Sequence, residues 1–421
     1  MGVDVMAEWS EIDDGLLNPA WYVNGDPHEA FERLRAEDPV HWAEPESYGR
    51  PFWALTRYQD VREVLADAAN FSNYRDTRPP RTAKRLTATQ LHESGTDGNL
   101  NHMDPPLHTL YRRPMERHFD PLSREHLRVL IENCADELIA EVGHRGRTEF
   151  VGELAADLPM HVIMRFLGVP REDWTWLRDC VWRSFLPDDP RFAVPGQASE
   201  KTMADANQMI ADYAARFARE KRERPGDDFA SVLTEVVVDG TPLDDHEVAA
   251  WLALLIPASL ETTRNTASVG LWLFYRNPEQ RQALAQDPAL IGQAVDEVIR
   301  WASPVRSRLR VARFDTEVGG KAIKAGDWVV PFLSSANRDA SVFEDPHAFN
   351  IRRQPRKHLS FGEGVHECLA LHLVRCELMT LFSKFFAAFP DYELPQADSP
   401  SWIADHVLNG FTRLEVDLNV T

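Results

Sequence analysis

Cys368 closes a short loop, His358-Leu359-Ser360-Phe361-Gly362-Glu363-Gly364-Val365-His366-Glu367-Cys368, with two glycines ahead of the cysteine, Gly362 and Gly364. Glycine permits positive φ and close backbone approach, so such a loop can fold tightly and lie flat against another surface. Beyond it, Leu369, Leu373, Val374, Leu378, Leu381 and Phe382 follow a helical spacing, which predicts a helix with Cys368 at its N-terminal end. Free amides and the positive end of a helix dipole favour a thiolate there. A thiolate on a rigid turn is a soft ligand suited to iron. For the cysteine taken alone, the competing reading is a buried core thiol.

Three other constellations can do chemistry or support it. His108 and Arg112 lie four apart and share a helix face. Their helix follows Met103-Asp104-Pro105-Pro106, where Asp104 is expected to cap and the prolines sit where a missing N–H costs little; Pro114 should kink or weaken it. Glu297 and Arg300 share a face at i, i+3. Ala258-Ser259-Leu260-Glu261-Thr262-Thr263 falls in the middle of a long helix that opens on a capping box, Asp244-x-x-Glu247, and runs to about Tyr275. Pro257 inside that helix is expected to distort it and free the carbonyl of Ala253.

Together these residues resemble the cytochrome P-450 monooxygenases. Phe361-x-x-Gly364-x-His366-x-Cys368 is similar to the family's heme-binding loop, with Ala370 where Gly is usual. Ala258 to Thr263 resembles its Ala-Gly-x-acid-Thr-Thr motif, with Ser259 in place of glycine. Glu297-x-x-Arg300 resembles its ExxR pair, and Arg353 lies where a third, structural charge would close the triad. The similarity runs from about residue 27 to 415, with the motifs in the family's order.

The resemblance implies a mainly α fold with small β-sheets, one large triangular unit. Heme b would lie between the long central helix and the helix after Cys368. Residues 1–25 are expected as a loosely ordered lead-in and 26–421 as the monooxygenase domain. Cys368 would be the axial ligand of iron. His108, Arg112, Arg310 and His358 would meet the heme propionates, and Ala258, Phe361, Gly364 and His366 would complete the heme surround. Thr262 would donate a hydrogen bond to the reacting oxygen, and Glu261 would bring protons from solvent. Phe185, Leu255, Val305, Leu309 and Leu408 are the expected substrate contacts, with Phe192 and Val194 as further candidates. NAD(P)H would supply electrons indirectly, through a ferredoxin reductase and a ferredoxin. Arg113, Arg117, Arg352, Arg356 and Lys357 should flank the cysteine side of the heme and receive an acidic donor. A heme-binding sensor or carrier without turnover, and a peroxide-driven peroxygenase, are the alternatives.

These residues need particular elements to position them. Val40-His41-Trp42 and Pro51 to Leu55 read as strands around a turn at Gly49, followed by a helix from Tyr58. Residues 122–180 read as helical, through Leu127, Leu130, Ile131, Leu138 and Ile139. Pro304 ends the ExxR helix, and Val305 to Arg310 alternate as a strand beside the pocket. Residues 72–103 are polar and carry Arg75, Arg78, Arg81, Lys84 and Arg85, a stretch whose length points to a functional loop. With Arg306 and Arg308, these cations point to a carboxylate-bearing hydrophobic substrate.

Composition sets the outer bounds. A net charge of −20 argues against nucleic acid and against an anionic membrane surface. Four cysteines in 421 residues do not make a disulfide framework and suit a reducing compartment. The start, Met1 to Gly15, lacks a basic, apolar leader, and the apolar run from Val248 to Leu260 is too short to span a bilayer. A cytoplasmic, membrane-free monomer is expected.

Overall fold

The long central helix starts on a closed capping box. The Asp244 carboxylate accepts from the Glu247 amide at 2.9 Å, and the Glu247 carboxylate accepts from the Asp244 amide at 2.8 Å. The helix then runs unbroken over Asp245–Arg276. The distortion expected at Pro257 does not interrupt it. Pro257 gives no N–H to Ala253, yet Trp251, Leu252, Leu255 and Ile256 before it and Leu260 after it are all buried. Tertiary packing on both flanks holds the helix on course against one lost hydrogen bond.

The computed structural model describes residues 9–73, 77–79, 98–120, 125–354 and 356–419. Around the central helix pack Asp157–Leu167, Ser199–Glu223, Ile291–Ala302 and Leu371–Ala388. Gly270 sets the closest approach. A Cβ there would meet the Phe382 ring at 2.5 Å and Val298 Cγ1 at 2.7 Å, so only glycine lets all three helices converge. One large hydrophobic cluster joins these helices to Glu125–Gly143.

A five-stranded sheet lies to one side. Phe52–Leu55 pairs antiparallel with Val40–Ala43 and parallel with Trp328–Pro331, which pairs antiparallel with Arg310–Ala312. Phe71–Ser72 closes the far edge against Arg310–Ala312. The sheet therefore fixes the strand that carries Arg310, and Val329 stands opposite Arg310 itself.

Several expectations are corrected. The stretch before residue 26 is not loose where it is described: Trp9–Leu16 is a helix, and Ile12, Leu16 and Leu17 are buried against Phe31, Phe52 and Trp328. Residues 122–180 are not helical throughout, because Arg147–Glu149 forms a strand with Glu415–Asp417. Asp104 does not cap the His108 helix, which spans Leu107–Glu116 past Pro114. Its carboxylate instead accepts from the Ser72 hydroxyl and, at 2.9 Å, from the Asn73 amide, joining the helix entry to the sheet edge. Of the basic residues noted in 72–103, Arg75, Arg81, Lys84 and Arg85 lie outside the described residues. Among the described residues no helix is long and apolar enough to cross a membrane.

Candidate active site

The cysteine loop is a tight turn. The Cys368 amide donates to the Phe361 carbonyl at 2.8 Å, and the Gly362 amide to the Leu359 carbonyl at 2.8 Å. Gly364 adopts φ +73°, and a Cβ on it would meet Ala66 Cα at 2.8 Å. Glycine is therefore required here so that the loop can seat on the Tyr58–Ala66 helix. Asn337 pins the loop from below. Its Oδ1 accepts from the Leu359 amide at 2.7 Å, while its Nδ2 donates to Ser303 Oγ and Ser360 Oγ, both at 2.9 Å. Nothing in the sequence pattern marks Asn337 for that task.

Cys368 lies slightly ahead of the helix it was expected to start, Leu371–Ala388. Burial pushes its thiol up, outweighing the Ala370 amide, Arg112 and Arg308, which pull it down. The loop by itself therefore favours the thiol, not the expected thiolate. A coordinating metal deprotonates a thiol outright, so thiolate character here has to come from coordination. Ala370 has φ −98° and ψ 18°, a conformation open to any L-residue, so the backbone does not demand the usual glycine.

Cys368 opens onto a cavity of about 1230 Å³. Ala258, Glu261 and Thr262 of the central helix line the same cavity. Ser259 Oγ donates to the Leu255 carbonyl at 2.7 Å and Thr262 Oγ1 to the Ala258 carbonyl at 3.2 Å, so both hydroxyls fold onto their own helix. Glu261 is buried and accepts from Arg264 Nη2 at 2.7 Å, while its other oxygen has no hydrogen-bond partner. That pair, legible in hindsight from its i, i+3 spacing, was not anticipated. Arg191, paired to Asp189 on the partly exposed loop above, is held above its ordinary value by Asp189 and, more weakly, by Glu261.

The cavity also carries a cationic edge. His108 and His366 stand with ring centroids 4.1 Å apart. His108 Nδ1 and His366 Nε2 are buried without partners. Burial pushes His108 down to about 4 and His366 to about 2, helped by the neighbouring Arg112 and His108 respectively, so both rings are neutral at pH 7. Arg112 donates to the carbonyls of Val365, at 3.1 Å, and Glu367, at 2.5 Å, clasping the cysteine loop. Burial lowers Arg310 to about 9 and Arg308 to about 10, and both remain cations at pH 7.

Not every expected residue reaches the cavity. Phe361, Phe185, Leu255, Val305 and Leu408 line it; Gly364 and His358 do not, and Gly362 takes the glycine's place. The His358 ring lies 5.5 Å from Phe361, its Nδ1 buried without a partner. Leu309 is a correction: it is fully buried in the cluster with Trp328 and Phe332. Strand alternation fails here because Val305 and Ser307 make only isolated bridges, to Leu408 and Phe332, before the regular strand begins at Arg310. The same irregularity turns Arg306 away from the cavity, onto Asp26 at 2.8 Å and Asn409 at 2.7 Å. Phe192 packs on Trp182 and, like Val194, is not at the cavity. The triad is assembled: Arg300 meets Glu297 at 2.7 and 2.8 Å, and Arg353 meets it at 3.0 Å.

The family model for Cytochrome P450 matches residues 181–413. The chain is 33% identical over 391 residues to Cytochrome P450-terp of Pseudomonas sp, covering 90% of this chain and 91% of that protein. It is 32% identical over 427 residues to a Steroid C26-monooxygenase of Rhodococcus jostii, covering 99% and 88%. A Mycobacterium marinum cytochrome P450 solved in complex with pseudoionone superimposes with a TM-score of 0.87 at 30% identity, over 98% of this chain and 99% of that one. The chain belongs to the cytochrome P450 family and is a cytochrome P450 monooxygenase whose cofactor is heme b.

The residues present fit that cofactor. Heme b needs one axial donor and partners for two carboxylates. The cavity offers the sulfur of Cys368, two neutral imidazoles with orphaned nitrogens, and the buried guanidinium of Arg310.

Proposed function

We propose that this monooxygenase inserts one oxygen atom from O2 into an apolar small molecule of terpenoid, steroid or similar aliphatic type. Reducing equivalents pass from NAD(P)H through a ferredoxin reductase and a ferredoxin. The observation that carries the reading is one cavity lined both by Cys368 and by the Glu261–Thr262 pair. When bound, the heme would supply the redox chemistry, with the sulfur of Cys368 as its protein ligand. The chain supplies placement and protons.

Cys368 would hold the heme iron. His108, Arg112, Arg310 and His366 would supply the donors for the propionates. Thr262 lies between two groups: its hydroxyl rests on the Ala258 carbonyl and can rotate to donate into the cavity. Glu261 keeps one oxygen bare and the other held by Arg264, so its carboxylate is fixed next to Thr262 and can pass a proton inward. Arg191, paired with Asp189 at 2.6 Å, is within electrostatic reach of Glu261 and offers a route from this buried pair toward solvent.

The apolar part of the cavity, with Phe185, Leu254, Leu255, Val305 and Leu408, suits a hydrophobic substrate. The names of similar proteins, a steroid monooxygenase and a structure holding the terpenoid-like pseudoionone, support that class. Arg113 and Arg117, on and just after the helix whose Arg112 clasps the cysteine loop, and Arg352 and Arg356, shortly before that loop in sequence, are exposed and support an acidic electron donor. Lys357 contributes less to that surface, being paired with Glu363 at 2.9 Å and Glu367 at 2.8 Å.

The test is NADH-driven turnover with a ferredoxin couple and a terpene and steroid panel. Hydroxylated product with labelled oxygen from O2 is expected, and Cys368→His should abolish it. Product formation by the Cys368→His protein at normal coupling would sink the assignment.

A further inference from the structure

Four arginines line the cavity: Arg78, Arg112, Arg308 and Arg310. Their charges have to be balanced by something, because an unpaired buried cation is costly. None of the acids that line the same space pairs with Arg308. Glu261 holds Arg264, and Glu363 and Glu367 hold Lys357. Asp405 accepts the amides of Val407 and Leu408 at 2.8 and 2.7 Å and lies 3.9 Å from Arg78. Glu377, with no ion pair, is buried, and Glu200 is exposed at the start of the Ser199–Glu223 helix.

Arg308 is the remaining charge. Its side chain makes no hydrogen bond or ion pair with any described residue, while its backbone is held by the Pro331 carbonyl at 3.1 Å. Arg306, two residues earlier, is completely satisfied by Asp26, Asn409 and the carbonyls of Asp405 and Leu408. The chain thus supplies partners for the fully buried Arg306 and leaves the half-buried Arg308 facing the cavity. The segment carrying Arg78 is tied to the same strand, since the Leu309 amide donates to the Thr77 carbonyl at 3.0 Å. Arg78 itself lies over the Phe185 ring at 5.0 Å, on the substrate side. Heme b brings two carboxylates, which Arg310, the imidazoles of His108 and His366, and Arg112, itself paired with Glu116 at 2.8 Å, can meet by hydrogen bond, leaving Arg308 facing the apolar cavity.

Resting on the function proposed above, we infer that the substrate is an apolar monocarboxylic acid whose carboxylate is received by Arg308, with Arg78 beside it. The acid would hold the molecule by one end and leave its hydrocarbon body against Phe185, Leu254, Leu255 and Leu408. Arg308 is then a specificity residue: its planar fork suits a carboxylate and gives an ester or alcohol no charge to meet. The other source of the same chemistry is a heme propionate, and the experiment separates the two.

Heme-loaded protein is first reduced under carbon monoxide. A red-shifted heme band reports thiolate ligation before any ligand is added, and its absence would count against the proposed function, not this inference. Ferric protein is then titrated optically with dodecanoic, abietic and cholanic acids and with their methyl esters. At least one acid is expected to bind at least about 10-fold tighter than its ester, about 1.4 kcal/mol. Arg308→Leu should bring the pair within about twofold while heme content stays that of the wild type, and Arg308→Lys, which keeps the charge without the planar fork, should keep only part of the preference. Equal affinity of acid and ester, or no shift with any of the three acids, overturns the inference. So does loss of heme from Arg308→Leu with acid preference intact, which would give the arginine to a propionate.

Discussion

Arg353 Nε lies 3.0 Å from both carboxylate oxygens of Glu297, while Arg300 grips the same carboxylate from its own helix. The two arginines then reach on to the carbonyls of Asn337, Asp345, Pro346 and Ala348. One buried carboxylate therefore organises the segment that leads into the cysteine loop. Glu297→Gln would leave two largely buried guanidiniums undercompensated and should cost about 3–5 kcal/mol of stability. Chemical denaturation measures it; a change below about 1 kcal/mol would show that the carbonyls alone hold the segment.

Glu261→Gln keeps the shape of the central helix and removes the proton. Product formation should fall by roughly 100-fold, with oxygen consumption continuing as peroxide. The ratio of product to NADH consumed is the readout. An unchanged ratio would return Glu261 and Arg264 to a purely structural ion pair.

Gly364→Ala should damage the loop rather than the chemistry. The position needs φ +73° and has Ala66 Cα where a Cβ would go. The backbone term alone is about 1–2 kcal/mol, with the steric term added. A lower melting temperature and partial heme loss are expected, and a variant with wild-type heme content and melting temperature would mean that the helix carrying Ala66 can yield.

Glu377 gives a pH dependence with a definite sign. Burial alone pushes its carboxyl up to about 8 from the ordinary 4.5, with no cation to offset it. A folded-state value above the unfolded one means that stability is fully present below about pH 4.5 and is lost as pH rises toward 8. Glu377→Gln should therefore flatten the fall in stability between pH 5 and pH 8, measured as denaturation midpoints at each pH. Parallel curves for the two proteins would contradict the assignment.

Electron delivery should respond to salt. If an acidic ferredoxin docks beside Arg113, Arg117, Arg352 and Arg356, the rate of reduction in stopped flow should fall steadily with ionic strength. A rate indifferent to salt would remove charge steering from the account.

The sequence by itself determined the chemistry and most of the frame. The cysteine loop, the capping box at Asp244, the ExxR charges and the hairpin around Gly49 are all local signals, in which residue type and spacing within a few positions state the physics. The structure places each of them in the element expected. What it took tertiary structure to decide depends on partners far along the chain. Pro257 looked disruptive because its local cost is visible, while the packing on both flanks that overrides it is not. Val305 to Arg310 looked like an alternating strand, yet isolated bridges to Leu408 and Phe332 break the period, sending Leu309 and Arg306 into the core and leaving Arg308 at the cavity. The sulfur of Cys368 looked poised as a thiolate because helix dipoles are local, while the burial that raises it belongs to the whole fold. Local geometry is written in neighbouring residues; which face a side chain shows, and which charge goes unpaired, is settled only when distant segments meet.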